Sequence, residues 1–145
     1  MNTIIATTTL VPSEVTSTIA RARAAGVDPG IVDGCDRLAA ALARTVATTG
    51  ALATRGAGGD VDGMLLHSTD YLTMFSILAV GWQWLLVAAV ATEARAAGRG
   101  SRELHEGLLL AAQYFLATEV PRIDALATLC ESGEDSYARM KPDWF

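Results

Sequence analysis

The sequence predicts an all-α protein, an antiparallel bundle of three to four helices with an extended N-terminal arm. Three observations predict this class. Apolar residues recur at three- and four-residue steps, capping residues and glycines divide the chain into segments, and short loops join these segments. The length of 145 residues is that of about one domain, so we expect a single helical domain over residues 1–145.

The N-terminal segment is expected to be an extended arm over residues 1–12, because it is rich in β-branched residues and lacks helical periodicity. A short helix is then expected at about 13–25. Ser13 is a suitable cap, and Glu14 lies in the first turn, where the helix dipole favours an anion. Gly26 is expected to end this helix.

A second helix is expected at about 31–55, followed by a glycine-rich break. Its evidence is one apolar stripe at steps of three and four residues. The stripe consists of Ile31, Cys35, Leu38, Leu42 and Val46. Cys35 and Cys130 both fall at apolar helical positions, which predicts buried thiols and leaves a disulfide between them open.

A third helix is expected at about 60–97, and its residues 71–92 carry no charge. A run of this length is long enough to cross a membrane. Gln83 in its middle and the acids Asp70 and Glu93 close to its ends favour a buried core helix instead. We therefore expect no membrane span.

A fourth helix is expected at about 101–132, with Ser101 as its cap. Pro121 lies inside this segment, where its ring and missing N–H predict a kink. The tail at 133–145 mixes charged and aromatic residues, a composition that suits a segment folded back on the bundle.

The charge-free helix is apolar on every side, so we expect part of its surface to contact another chain, another domain or a ligand. The candidate association face is Leu72, Val80 and Val87. The candidate ligand-pocket residues are Trp82, Trp84, Phe75, Tyr114, Phe115 and Glu119.

Other chemistries have weak support in the sequence. The net charge of −5 and the scattered arginines argue against nucleic acid binding. We expect no metal, because the paired Glu-x-x-His motifs of a di-iron bundle are missing, and no cofactor, because the glycines at 56–59 lack a P-loop lysine. The N-terminus lacks the basic and apolar regions of an export signal, so a cytoplasmic location is expected.

Three segments carry a family resemblance. They are DYLTMFSILAVGWQWLLVAAVATEA at 70–94, AAQYFLATEVPRIDALATLCESGED at 111–135 and ARMKPDWF at 138–145. Their order, together with the position of Pro121, resembles the accessory C-terminal domain of large acyl-CoA dehydrogenases, also described as acetyl-CoA dehydrogenase-like. The resemblance covers about residues 31–145. The chain departs from the family pattern at Leu108 and Gln113, where the family usually has a lysine and an arginine.

The resemblance implies a helical module used for packing and dimer contact. In the large enzymes this domain follows the flavin-binding and catalytic domains, so the resemblance implies no catalytic residue among these 145. The expected function is a non-catalytic association module whose partner is a second copy or a flavoenzyme of the acyl-CoA dehydrogenase type. The alternative is a repurposed small enzyme or binding protein with an apolar cavity for an acyl or polyketide-like molecule.

Overall fold

The computed structural model describes the backbone of residues 2–144 and the side chains of residues 12–144. Over this range the chain is helical, with no strand, which confirms the all-α class. The helices are α1 Asn2–Ala24, α2 Pro29–Ala57, α3 Val61–Leu65, α4 Ser68–Ala96, α5 Arg102–Thr118 and α6 Arg122–Ser132, with a 3-10 turn at Pro142–Trp144.

The long helices alternate in direction, as an antiparallel bundle requires. Near the start of α4, Tyr71 lies 2.9 Å from Thr49 late in α2, measured between their hydroxyl oxygens. Near the end of α4, Arg95 pairs with Asp28, just before α2, at 3.4 Å. α2 and α4 are therefore antiparallel, and the predicted bundle is confirmed.

The prediction of an extended arm is wrong for the described backbone, because α1 begins at Asn2 and continues through Pro12. β-Branched residues weaken a helix by only a few tenths of a kcal/mol each. Extending a helix that has already formed adds one hydrogen bond for each residue fixed. A segment of poor helix formers can therefore continue the helix nucleated by the residues that follow it. Met1 lies outside the described residues.

The start of α2 was predicted two residues late, and one member of its apolar stripe is misplaced. Pro29 occupies the first turn, where its missing N–H costs nothing. Ile31 and Leu38 are buried, but Val46 is 45% exposed and Thr45 takes the inward position. Repeated four-residue steps drift away from the 3.6-residue turn, and this drift carries Val46 off the buried face.

Two helices predicted as continuous are each broken. The predicted helix 60–97 is interrupted at Leu66–His67, which separates α3 from α4. The tail stabilises this joint, because the Tyr137 hydroxyl donates to the Leu66 carbonyl oxygen and a His67 ring nitrogen lies 2.9 Å from the Glu134 carbonyl oxygen. The predicted helix 101–132 breaks before Pro121, as the kink prediction required.

α4 occupies the centre of the bundle and contacts α1, α2, α5 and α6. Its inward residues Met74, Leu78 and Leu85 are 0–2% exposed. Close helix approach depends on Gly81, where an added Cβ would lie 3.0 Å from Val120 and 3.1 Å from Leu38. By length and composition alone α4 could also cross a membrane, since its most apolar window has a mean hydropathy of 1.9, with 44% of that window buried in the bundle.

Candidate functional site

The outer side of α4 presents apolar residues to solvent. Leu72 is 63% exposed, Val80 44% and Val90 46%. No charged residue lies between Asp70 and Glu93 to break this surface. An uncharged, partly apolar face on the central helix of a bundle is unusual, because exposed helix faces normally carry charged side chains.

Six residues of this face follow a heptad spacing; four of them are exposed, and Ala79 and Leu86 are half-buried. Successive steps of four, three, four, three and four residues place six side chains within a narrow strip, the spacing of a coiled-coil contact line. We name these residues the α4 seam; they are Leu72, Ser76, Ala79, Gln83, Leu86 and Val90. Val80 and Val87 lie directly beside the seam, one position after Ala79 and Leu86.

A shallow groove of about 400 Å³ lies along the middle of this face. Every described residue that lines it belongs to α4; they are Ala79, Val80, Trp82, Gln83, Trp84 and Val87. The two tryptophans stand on opposite sides of the helix and flank the groove. Trp82 is fixed from behind, because its indole Nε1 donates to the Thr18 hydroxyl of α1 at 2.7 Å.

Two of the six predicted pocket residues line this groove. Trp82 and Trp84 line the surface groove, whereas the other four are not among its described lining residues. Phe115 lies on the inner side, 3.7 Å from the Cβ position of Gly81. Tyr114 on α5 is 67% exposed, and Phe75 on α4 is half-buried.

Glu119 is half-buried at the break between α5 and α6, and its carboxylate forms an ion pair with Arg122. It is therefore held by a neighbour in its own segment and does not reach the groove.

The predicted association residues lie together. Leu72 is a member of the α4 seam, and Val80 and Val87 border it. Ser76, Gln83 and Val90 belong to the same face and were not predicted. Their signal was present in the sequence as the heptad spacing, which a search for apolar residues alone overlooks because two of the six positions are polar.

Reactive side chains lie away from this face. Burial raises the pKa of the Cys35 thiol and of the Cys130 thiol, which keeps both protonated and poorly nucleophilic at neutral pH. Both are free thiols, with no disulfide between them. Within the described residues, no three histidine, cysteine or carboxylate side chains are grouped as metal ligands.

The fold and the face of α4 define a helical-bundle domain whose central helix presents an uncharged face to solvent. The family model described as acetyl-CoA dehydrogenase C-terminal like matches residues 12–141. The chain belongs to this family. A search of curated proteins finds no match to the chain.

Proposed function

We propose that this protein is a non-catalytic association module that self-associates by packing the α4 seam against the α4 seam of a second copy. The heptad spacing of the α4 seam, in which four of the six residues are exposed, is the observation that carries the proposal. Leu72 to Val90 span about 27 Å of helix, roughly the contact length of three heptads.

Charge favours a second copy as the partner. The chain carries a net charge of −5, so two copies repel each other over most of their surfaces. The α4 seam lacks charged residues and is therefore a face on which two copies can meet without a like-charge contact.

The centre of the α4 seam supplies specificity. Gln83 is exposed and sits at a contact position of the heptad pattern. A polar residue at one such position costs stability but fixes register, because only one alignment pairs it with another polar group. We propose that the Gln83 side chains of two copies hydrogen-bond to each other and set that alignment.

A helix suits the groove better than a small molecule does. Small-molecule sites are usually concave and enclose most of the ligand surface. Here the described walls come from α4 alone, and the polar nitrogen of Trp82 is already bonded to Thr18. A ridge of side chains from a second helix fills such a shallow groove along its length.

The test is the molar mass of the full chain in solution, measured by size-exclusion chromatography with light scattering. We expect twice the chain mass of 15.2 kDa. Val80→Glu places two buried charges in the interface and is expected to give a monomer. Val46→Glu on α2 is the matched control, because Val46 is 45% exposed and Val80 is 44% exposed.

A monomer for the unsubstituted chain would contradict self-association, and so would equal disruption by Val80→Glu and Val46→Glu. Binding of that monomer to a purified acyl-CoA dehydrogenase, lost in Val80→Glu, would identify the flavoenzyme as the partner of the α4 seam instead.

A further inference from the structure

A second surface feature lies at the end of the bundle where α4 joins α5. A basin of about 600 Å³ is lined there by Arg95, Arg99 and Arg102. These are three of the eleven basic residues in a chain whose net charge is −5. Their concentration within eight positions makes this basin locally cationic in an otherwise acidic protein.

The guanidinium groups are available to an anion. Arg95 contacts Asp28 at 3.4 Å and Arg102 contacts Glu106 at 4.0 Å, and both pairs are exposed. Exposed pairs of this kind contribute little, so an incoming anion can displace them. Arg99 forms no ion pair within 4 Å inside the described part of the chain.

A buried histidine opens on the same basin. His105 lines it and is only 6% exposed, yet its ring makes no hydrogen bond with any described residue. No fully buried side-chain nitrogen among the described residues lacks a partner, so the His105 ring nitrogens reach solvent in the basin. The ring nitrogens of this largely buried histidine therefore face the basin with no protein partner, where a ligand atom can bond to them.

The loop is shaped to bring the ring and the arginines together. Gly100 has φ +80°, and a Cβ there would lie 3.0 Å from His105 Nε2, so only glycine lets the ring pack against the loop. Ser101 then starts α5 and accepts a hydrogen bond from the Leu104 amide at 3.1 Å. The positive end of the α5 dipole lies at the basin, beside the negative end of the α4 dipole, so the anion is held mainly by the side chains.

We propose that this basin binds the phosphoryl group of a small molecule. The arginines supply paired N–H donors that match phosphate oxygens, and His105 supplies a further ring contact. Asp28 and Glu106 line the same basin and compete for the arginines. Only an anion that binds the arginines better than these carboxylates do can therefore occupy it. The site is separate from the α4 seam, which ends at Val90. Its test is therefore independent of the test of self-association.

Isothermal titration calorimetry of the full chain with inorganic pyrophosphate and inorganic phosphate tests the site. We expect saturable one-site binding of at least one of these anions. Arg99→Gln is expected to weaken it about tenfold, the equivalent of one charge-assisted hydrogen bond. Arg122→Gln is the control, because Arg122 is an exposed arginine on α6 that pairs with Glu119 away from the basin.

The location of the bound anion can be determined on the unsubstituted chain from the NMR signals of its histidines. The chain has two histidines, so the Cε1–H region of the NMR spectrum contains one signal for His105 and one for His67. Pyrophosphate is expected to shift the His105 signal and leave the His67 signal in place.

Failure of both anions to bind, equal weakening in Arg99→Gln and Arg122→Gln, or an unmoved His105 signal would overturn the proposal. If the chain co-sediments with phosphatidylglycerol vesicles but does not bind pyrophosphate, the basin binds lipid headgroups. That result would overturn the small-molecule assignment.

Discussion

At the scale of single residues, one arginine joins α2 to α6. The Arg44 guanidinium donates to Glu131 Oε2 at 2.9 Å and to Asp124 Oδ1 at 3.2 Å. Thr48, which is 0% exposed, donates its hydroxyl hydrogen to Glu131 at 2.6 Å. These hydrogen bonds satisfy a polar side chain at the edge of the core and hold the last helix against the second.

The network predicts a pH-dependent contribution to stability. Hydrogen bonds from Arg44 and then from Thr48 lower the pKa of Glu131 in the folded protein. A lowered carboxyl pKa adds stability above the unfolded value, about 4.3, and that stability is lost as pH falls through the folded value. We expect Glu131→Gln to lower the free energy of unfolding at pH 7 by about 1 kcal/mol, and the difference from the unsubstituted chain to shrink below pH 4.

Urea unfolding at several pH values measures this difference. Asp36→Asn removes an exposed ion pair with Arg23 and serves as the control, with an expected change within about 0.5 kcal/mol. A Glu131→Gln effect that is equal at pH 7 and pH 3 would contradict the assignment to the carboxylate charge.

At the scale of elements, glycines set how closely α2 and α5 approach. A Cβ at Gly34 would lie 2.6 Å from Leu116 Cδ1 and 2.9 Å from Leu116 Cβ. The second of these atoms is fixed to the backbone of α5 and cannot rotate away. Gly50 on the same helix has nothing within 4 Å of its Cβ position. The two glycines therefore share a helix and differ in whether another helix covers them.

This contrast predicts opposite effects of one substitution. Gly34→Ala is expected to destabilise the fold by about 1–2 kcal/mol, because overpacking outweighs the gain in helix propensity. Gly50→Ala is expected to stabilise it by up to about 1 kcal/mol, because only the propensity gain remains. Urea unfolding of both variants measures the two signs, and destabilisation by Gly50→Ala would contradict the propensity argument.

The elements also show what could be predicted from the sequence. Local signals located the break at Pro121 and most of the α2 stripe, because proline chemistry and helical periodicity act within a few residues. The interruption at His67 was not predictable in this way, because its stabilising contact comes from Glu134, which is 67 residues distant. Five of the six predicted pocket residues are aromatic, but whether they lie together depends on helix rotation, which places Phe115 inward and Tyr114 outward.

At the scale of the whole molecule, the burial of α4 is incomplete within one chain. Its inner residues are packed by four other helices, whereas the α4 seam meets solvent. Covering that face with a second copy would complete a core that one copy leaves open. Association and folding stability are then coupled, since a dimer contact exists only between folded chains.

This coupling predicts that the thermal unfolding midpoint of the full chain rises with protein concentration. A tenfold increase in concentration is expected to raise the midpoint by about 2–4 °C, because mass action favours the folded dimer. Val80→Glu is expected to unfold at a midpoint that does not depend on concentration, whereas Val46→Glu should keep the dependence. Differential scanning fluorimetry or calorimetry over a hundredfold concentration range measures all three. A midpoint independent of concentration in the unsubstituted chain would mean that the α4 seam stays uncovered in the native state, and a dependence that persists in Val80→Glu would place the contact on another face.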